Sequence, residues 1–353
     1  MIKRFYLSKI VIKFYYHERY NEYDLGENHP LIGDKPRKTL NFLKKHGIDR
    51  YLEIKEPKPC TEEDLLRVHT REYIEKVKHL SRIGGYLSID TPAPREIFEV
   101  ASLACGGSKE GGESLLKESK ISINPLGGFH HASRNTASGF CFFNDIAVAI
   151  EYLRNRYRVK RIAVIDLDVH HANGTQDIYY KDPNILLISF HQDGKTLYPG
   201  SGFIEEIGED EGKGYTINLP FVPGSGSESY KRAFDEIVPD IVLQFKPDIL
   251  IYQSGVDTHH TDPLADILLT YPTYFYFARE IKKLSEKTCN KLLVLFGGGY
   301  NSDASIKSYY NIVCGLLGVE EIVREEDIPD TKLEITIERI KELKIILSDY
   351  WNI

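Results

Sequence analysis

Four short, continuous apolar runs give the strongest indication of how this chain folds. They are rich in Ile, Leu and Val and span residues 161–169, 185–191, 248–255 and 291–296. Runs of this length without polar alternation are typical of strands buried on both faces, as in a parallel sheet. Longer segments with helical patterns lie between and around them, so the sequence predicts a doubly wound α/β fold.

The segments with helical patterns are residues 61–80, 227–245, 271–286 and 337–347. Thr61 is a suitable N-cap for the first of them, since three acidic residues follow it in the first turn. The N-terminal sequence MIKRFYLSKIVIKFYY mixes apolar with basic residues and predicts a first strand. The Gly- and Pro-rich stretches 198–214 and 220–227 are typical of surface loops and not of a linker, so we expect one domain over residues 1–353.

The composition predicts a soluble globular protein that does not bind nucleic acid directly. Of the 353 residues, 42% are hydrophobic and 27% charged, and the net charge of −7 does not favour a phosphate backbone as partner. The 5 cysteines are scattered without a C-x-x-C pattern, which predicts a reducing, cytoplasmic setting and no cysteine metal site. No signal peptide or membrane span is predicted, because no long apolar segment occurs.

Each apolar run ends in a polar or glycine-rich cluster: DLDVHH, SFHQDG, QSGVDTHH and FGGGYN. Ligands of open parallel sheets bind beyond the carboxyl ends of the strands, so these clusters should face a site. Asp166, Asp168 and His170 would project to one side of an extended segment, and their carboxylates are costly to bury without a cation. Asp257 could complete a divalent metal site with Asp168 and His170. A solvated strand end, with Asp257 as a helix N-cap or turn residue, is the alternative.

Two further features, a histidine pair and a tyrosine after a glycine run, could contribute chemistry. The pair His130 and His131 could hold two protonation states, one suited to a base and one to an acid. Tyr300 follows three glycines and could donate a hydrogen bond to an oxyanion, although it could equally be a packed aromatic residue. The adjacent His259 and His260 are expected to be surface loop residues.

Together these segments resemble the histone deacetylase superfamily, which includes acetoin-utilisation proteins and acetylpolyamine amidohydrolases. The resemblance rests on HHASRNTASGFCFFNDIAVAI, DLDVHHANGTQ, YPGSG and GGGY, and it extends from HPLIGDKPRKT near the start to GGGYN. It implies an arginase/deacetylase-like three-layer α/β/α fold with a central, mostly parallel sheet. HHANGTQ and YPGSG are more similar to the class II and prokaryotic branches than to class I.

The resemblance implies a zinc-dependent amidohydrolase that removes acetyl groups from acetylated amines. Asp168, His170 and Asp257 would bind Zn²⁺, or Fe²⁺ in the cell. The expected catalytic residues are His130 and His131 beside the reacting water, Tyr300 on the acetyl carbonyl, and Asp166 and Asn173 as partners of the two histidines. Asn173 stands where the family often has Asp, so His131 should be more easily neutral.

The resemblance also implies sites around this centre. A structural K⁺ site would use Asp166, Asp168, His170, Ser189 and Phe190. The acyl-lysine tunnel would have Gly139, Phe140 and Tyr198 as walls and Leu264 at its rim. Arg37 would lie beneath the site at an internal acetate channel, and Asp90 would clasp the substrate backbone.

Several alternatives stay open at this stage. The expected substrate is N6-acetyl-lysine in a protein, with an acetylated polyamine or another small amide as the second candidate. A two-manganese ureohydrolase ranks lower, because Thr258 and His259 stand where a second aspartate would help. A non-catalytic acyl-binding or scaffold protein is a third interpretation. No membrane partner is expected, and the sequence leaves the oligomeric state open.

Overall fold

The computed structural model describes residues 11–31 and 33–353. Its strands are β1 (Ile12–Tyr15), β2 (Leu52–Lys55), β3 (Tyr86–Ser88), β4 (Thr91–Pro92), β5 (Ile121–Asn124), β6 (Ile162–Asp166), β7 (Ile185–Gln192), β8 (Thr216–Phe221), β9 (Ile249–Gln253) and β10 (Leu292–Leu295). Eight of them form one sheet in the order β2-β1-β5-β10-β9-β6-β7-β8, and every neighbouring pair is parallel. β3 and β4 form a separate antiparallel hairpin.

Helices cover both faces of this sheet. They are α1 (Lys35–Lys45), α2 (Glu62–Leu66), α3 (Arg71–Ile83), α4 (Ile97–Ser114), α5 (Asp145–Tyr157), α6 (Asn173–Tyr179), α7 (Ser227–Phe245), α8 (Tyr271–Lys287), α9 (Ser302–Leu317) and α10 (Leu333–Leu347). Ala163 and Ile165 of β6 pack in one apolar cluster with α7 to α10, whereas Ile162 and Val164 pack in a second cluster with α3, α4 and α5. The strands are therefore buried on both faces, and the expected three-layer α/β/α fold is confirmed.

The four apolar runs of the sequence correspond to β6, β7, β9 and β10, which are neighbours in the centre of the sheet. Because these strands are parallel, the polar clusters that follow them meet at one edge of the sheet. This arrangement is what positions the site described below.

The local structure differs from the sequence prediction in several places. The segment 61–80 is not one helix, because buried His69 accepts a hydrogen bond from the Asn144 amide and Thr70 caps a second helix by accepting from the Tyr73 amide. The predicted loop 220–227 begins inside β8. The predicted first strand is β1, and residues 1–10 lie outside the described residues. Among the described helices, none combines the length and the apolar character needed to span a membrane.

Candidate active site

The segment DLDVHH leaves the sheet earlier than its sequence suggests. Strand β6 ends at Asp166, and the next residues turn, with each carboxylate accepting a backbone amide two residues further on. The Asp168 amide lies 3.1 Å from Asp166 Oδ1, and the His170 amide lies 3.0 Å from Asp168 Oδ1. The extended geometry assumed for Asp166, Asp168 and His170 is therefore wrong beyond Asp166. All three side chains are nevertheless buried at the same edge of the sheet.

Asp168, His170 and Asp257 come together as a candidate metal centre. His170 Nδ1 lies 3.1 Å from Asp168 Oδ1 and 3.2 Å from Asp257 Oδ2, and one ligand atom from each residue fits within a 4.8 Å separation. Asp257 does lie in a turn, as one alternative allowed, but its side chain is buried and its Oδ1 accepts from the Val169 amide at 2.9 Å. Two carboxylates and one imidazole suit Zn²⁺ or Fe²⁺, so the donor set fits the metal that the sequence predicts.

The electrostatics of this cluster favour a bound cation. Burial and the neighbouring Asp168 carboxylate raise the pKa of Asp257. Burial lowers the pKa of His170, but the two carboxylates more than offset it and raise that pKa to about 10. The cluster thus concentrates negative charge around the His170 nitrogen, where a divalent cation would compensate it.

One side-chain donor and one backbone donor fix the orientation of the Asp168 carboxylate. Gln253 Nε2 lies 3.1 Å from Asp168 Oδ2, and the Gly298 amide donates to the same oxygen at 3.0 Å. Sequence reasoning missed Gln253, although it begins the QSGVDTHH cluster at the end of an apolar run. Its position as the last residue of β9 is the signal that could have identified it.

The tandem histidines lie beside the metal ligands and are held by different partners. His130 Nδ1 lies 2.8 Å from Asp166 Oδ2, whereas His131 Nδ1 donates to the amide oxygen of Asn173 at 2.6 Å. The two Nε2 atoms are 3.0 Å apart. Because Asn173 holds the proton of His131 on Nδ1, the lone pair of His131 is on Nε2.

The two histidines have opposite pKa shifts. Burial lowers the pKa of His130, but Asp166 and Asp168 outweigh it, so that pKa is raised. Burial lowers the pKa of His131 well below its ordinary value, and the positive charges of His130 and His170 lower it further. Of the two, His130 is therefore the more readily protonated and His131 the more readily neutral.

Tyr300 borders the same cavity as the tandem histidines. Its ring packs edge-on against Phe140, at 5.7 Å between ring centres, and its amide donates to Asp262 Oδ2 at 2.7 Å. Asp262 Oδ1 accepts from the Leu264 amide at 3.0 Å, which links the predicted rim residue to the tyrosine. Sequence reasoning missed Asp262, which follows the two histidines in DTHHTDPL.

Gly139 and Phe140 form a wall of the cavity in an unusual backbone conformation. Their φ angles are 53° and 67°, and they are held by Asp90 and Thr91 of the β3–β4 hairpin. Asp90 Oδ2 accepts from the Gly139 amide at 2.9 Å, while Asp90 Oδ1 accepts from two neighbouring hydroxyl groups. The carboxylate expected to clasp the substrate backbone thus holds the cavity wall. The Tyr198 ring lies beside the tandem histidines, with its centre 5.2 Å from that of the His131 ring, and its place in the tunnel wall stays a prediction.

The cavity has a volume of about 50 Å³ and extends below the tandem histidines. The cation beneath the site is Lys35, whose Nζ donates to the carbonyl oxygens of Gly297 and Gly299 at 2.9 and 3.3 Å. Arg37 was expected here, but its side chain is 48% exposed and pairs with Glu18 on the surface. That expectation is wrong because α1 turns Arg37 outward, two residues after Lys35.

The residues of the predicted K⁺ site lie near one another. Ser189 is the partner of Asp166 in the register between β6 and β7, and Phe190 is fully buried. The ion itself stays a prediction.

His259 is buried, so the expectation that it is a surface residue is wrong. Its imidazole and that of the partly exposed His260 both contact the Glu325 carboxylate.

We expect Gly139→Ala to lower kcat/KM by about 10²-fold, since small displacements of catalytic groups have effects of this size. A Cβ atom at Gly139 would lie 2.2 Å from the His131 ring and would displace it. Gly47→Ala is the matched control, because Gly47 has a φ of 67° and nothing within 4 Å of its added Cβ. Steady-state kinetics with an acetylated amine would separate the collision with His131 from the cost of placing a side chain at a positive φ angle. Equal losses of kcat/KM in both variants would contradict the collision with His131.

Comparison with known proteins identifies the family of this chain. A family model for the histone deacetylase domain matches residues 29–316. The chain belongs to the histone deacetylase family. Membership in this family indicates an amide-hydrolysing enzyme of the deacetylase type.

The relatives and a solved structure cover most of the chain. A probable deacetylase of Archaeoglobus fulgidus is 34% identical over 356 residues, covering 96% of this chain and 98% of that protein. A histone deacetylase-like amidohydrolase of Pseudomonas aeruginosa is 38% identical, with coverages of 83% and 77%. The acetoin utilization protein AcuC of Bacillus subtilis is 33% identical, with coverages of 82% and 77%. The crystal structure of the HDA15 HD domain is similar with a TM-score of 0.87 and 28% identity, covering 98% of this chain and 96% of that one. These relatives agree with the prokaryotic branch expected from the sequence.

Proposed function

We propose that this histone deacetylase family member is a zinc-dependent hydrolase that removes the acetyl group from N6-acetyl-lysine in proteins. The observation that carries the proposal is the convergence of Tyr300, the tandem histidines and Asp168 on one narrow cavity. A bound divalent ion at Asp168, His170 and Asp257 would supply a Lewis acid for the acetyl carbonyl and lower the pKa of a reacting water. A structural K⁺ ion held by Asp166, Asp168, His170, Ser189 and Phe190 is part of the same proposal.

The histidines and Tyr300 have distinct tasks in this reaction. His131 is the more readily neutral histidine and carries its lone pair on Nε2. In this reaction it exchanges the 3.0 Å contact with His130 Nε2 for the attacking water, takes the water proton and later delivers it to the leaving lysine nitrogen. His130, whose pKa is raised by Asp166, stabilises in its protonated form the negative charge that develops nearby. The phenol of Tyr300 donates a hydrogen bond to the carbonyl oxygen as that oxygen becomes an oxyanion. Water and the amide are thereby converted to acetate and a free amine.

The mouth of the cavity favours a lysine side chain over a polyamine. A free polyamine carries further ammonium groups, which need unpaired acidic side chains near the mouth. The carboxylates of Asp90 and Asp262 are directed at the backbone amides of Gly139 and Tyr300. In the hairpin that carries Asp90, the side chains of Tyr86 and Ile89 are 69% and 99% exposed, which suits apolar contact with a peptide.

The substrate is tested by comparing kcat/KM for an acetyl-lysine peptide with that for an N-acetylated polyamine, using zinc-loaded protein in both assays. We expect the peptide to be preferred by at least about tenfold, which corresponds to 1.4 kcal/mol. A preference for the polyamine would overturn the substrate assignment and leave the deacetylase reaction standing. Acetate release from neither compound would overturn the proposed function.

Two observations argue against the alternative functions considered from the sequence. The Thr258 hydroxyl contacts the Tyr274 hydroxyl at 2.9 Å and His259 contacts Glu325, so neither side chain supplies the second metal site of a ureohydrolase. A non-catalytic acyl-binding protein would not need a pair of histidines, oriented by Asp166 and Asn173, beside a candidate metal centre. Neither a ureohydrolase nor a non-catalytic protein releases acetate, so the same assay distinguishes both from the proposed deacetylase.

We expect Asn173→Asp to move the acidic limb of the kcat/KM–pH profile to higher pH. A base must be neutral to act, and the low pKa of His131 keeps it neutral into the acidic range. A carboxylate 2.6 Å from Nδ1 would stabilise imidazolium and raise that pKa, so activity would be lost earlier as the pH falls. Asn290→Asp, at an exposed position, is the control and should leave the profile in place. An unchanged acidic limb in Asn173→Asp would contradict the role of His131 as the base.

A further inference from the structure

Three side chains outside the catalytic cavity form a second cluster of metal-ligating groups. His259 Nε2 lies 3.0 Å from Glu325 Oε1, and His260 Nε2 lies 3.1 Å from Glu325 Oε2. One ligand atom from each of the three residues fits within a 4.8 Å separation. The histidines belong to the connection between β9 and α8, whereas Glu325 belongs to the connection between α9 and α10. None of the three lines the catalytic cavity.

Two of the three groups are fixed by contacts of their own. The His259 ring stacks on the Tyr271 ring with 4.4 Å between ring centres. Its Nδ1 lies 3.0 Å from the Thr261 hydroxyl oxygen and accepts a hydrogen bond from the Thr261 amide at 3.3 Å. Glu325 Oε1 accepts a hydrogen bond from the Tyr271 amide at 2.6 Å. Metal-ligating histidines usually donate the other ring N–H to an acceptor that sets their orientation, and the Thr261 hydroxyl oxygen is available for this. His259 can therefore present Nε2 to a metal in its present ring orientation, at the cost of the hydrogen bond that the Thr261 amide donates to Nδ1.

The distances and the exposure suit a transition metal. Ligand atoms at about 2.0–2.1 Å from a tetrahedral ion lie about 3.3 Å apart. Each imidazole Nε2 lies at a similar distance, 3.0 or 3.1 Å, from a different oxygen of the Glu325 carboxylate, so either oxygen can serve as the ligand atom. His260 is 28% exposed, so solvent reaches the cluster and could fill a remaining ligand position. Two imidazoles and one carboxylate form a donor set that zinc binds in proteins, with water as the fourth ligand.

We propose that His259, His260 and Glu325 bind a second divalent transition metal ion, Zn²⁺ in the first instance. In the metal-free protein both imidazoles donate Nε2–H to the Glu325 carboxylate. When the ion binds, it replaces these hydrogen bonds, and His259 carries its proton on Nδ1. This proton is donated to the Thr261 hydroxyl oxygen, and the hydrogen bond from the Thr261 amide to Nδ1 is lost. The ion links the connection between β9 and α8 to the connection between α9 and α10. It stabilises that part of the fold and takes no part in the reaction.

Metal stoichiometry tests this proposal without depending on activity. The wild type, His260→Asn, Glu325→Gln and the control His79→Gln are equilibrated with micromolar free Zn²⁺, and bound zinc is measured by elemental analysis. His79 is an exposed histidine on α3 and serves as the matched control. We expect two equivalents in the wild type and the control, and one in His260→Asn and Glu325→Gln. Circular dichroism establishes that the variants are folded, and His260→Asn, at a partly exposed position, is the variant less prone to misfolding.

A second measurement separates this site from the catalytic one. Wild type and His260→Asn are loaded with one equivalent of Zn²⁺ and then titrated with Co²⁺, whose visible absorption reports tetrahedral binding. We expect this absorption in the wild type and its loss in His260→Asn. One equivalent of zinc in the wild type, or two in both site variants, would overturn the second site. The proposed function would survive that result if the single equivalent were lost in Asp257→Asn.

Discussion

Tyr300→Phe should lower kcat by about 10²–10³-fold, because it removes one donor to the oxyanion that forms on the acetyl carbonyl. The ring itself would remain, and with it the edge-on contact to Phe140. The Tyr300 amide would still donate to Asp262, so the loop that carries residue 300 should keep its position. We therefore expect a loss of turnover without a loss of fold or of zinc.

The measurement is steady-state acetate release by zinc-loaded protein, with KM and kcat determined separately. The phenol acts mainly in the transition state, so KM should change much less than kcat. Tyr51→Phe is a suitable control, since Tyr51 lies next to β2 at the far edge of the sheet. Turnover of Tyr300→Phe within about twofold of the wild type would mean that the oxyanion donor is another group.

Asp257→Asn should weaken zinc binding by more than about 10²-fold, since losses of 10–100-fold already follow from removing groups that only orient metal ligands. The substitution replaces an anionic ligand with a neutral amide of the same shape. The amide oxygen can still accept from the Val169 amide, so the turn after β6 should be preserved. Activity at limiting zinc should fall in parallel with the affinity.

Competition with a chromophoric chelator measures the affinity, and acetate release at defined free zinc measures the activity. Asp303→Asn is the matched control, because the Asp303 side chain is 75% exposed on α9 and pairs with Lys307. Zinc affinity and activity unchanged within about twofold in Asp257→Asn would contradict the assignment of this aspartate as a ligand.

The centre of the fold could be predicted from the sequence because its strands are continuous apolar runs. β6, β7, β9 and β10 are buried on both faces and therefore carry no polar alternation. β1, β2 and β5 have four residues each, as β10 does, but polar or charged residues interrupt them, so they give a weak pattern. The break between α2 and α3 depends on the long-range hydrogen bond between the Asn144 amide and His69, which local patterns do not contain.

Much of the candidate site could also be predicted, because its residues occur in short polar clusters at strand ends. The approach of Asp257 to Asp168 and His170 follows from the parallel order of β9 and β6. The roles of Gln253 and Asp262 could not be predicted in this way, since they act through hydrogen bonds to Asp168 and to the Tyr300 amide. Lys35 and Arg37 are two residues apart on α1, and only the packing of this helix determines which of them faces the cavity.

The most direct test of the proposed function is acetate release from an acetyl-lysine peptide by protein stripped of metal with a chelator, before and after reconstitution with Zn²⁺. The proposed mechanism predicts no turnover by the stripped protein and recovery of activity as zinc is restored. Full turnover by metal-free protein, or no acetate release from any acetylated amine by fully zinc-loaded protein, would contradict it.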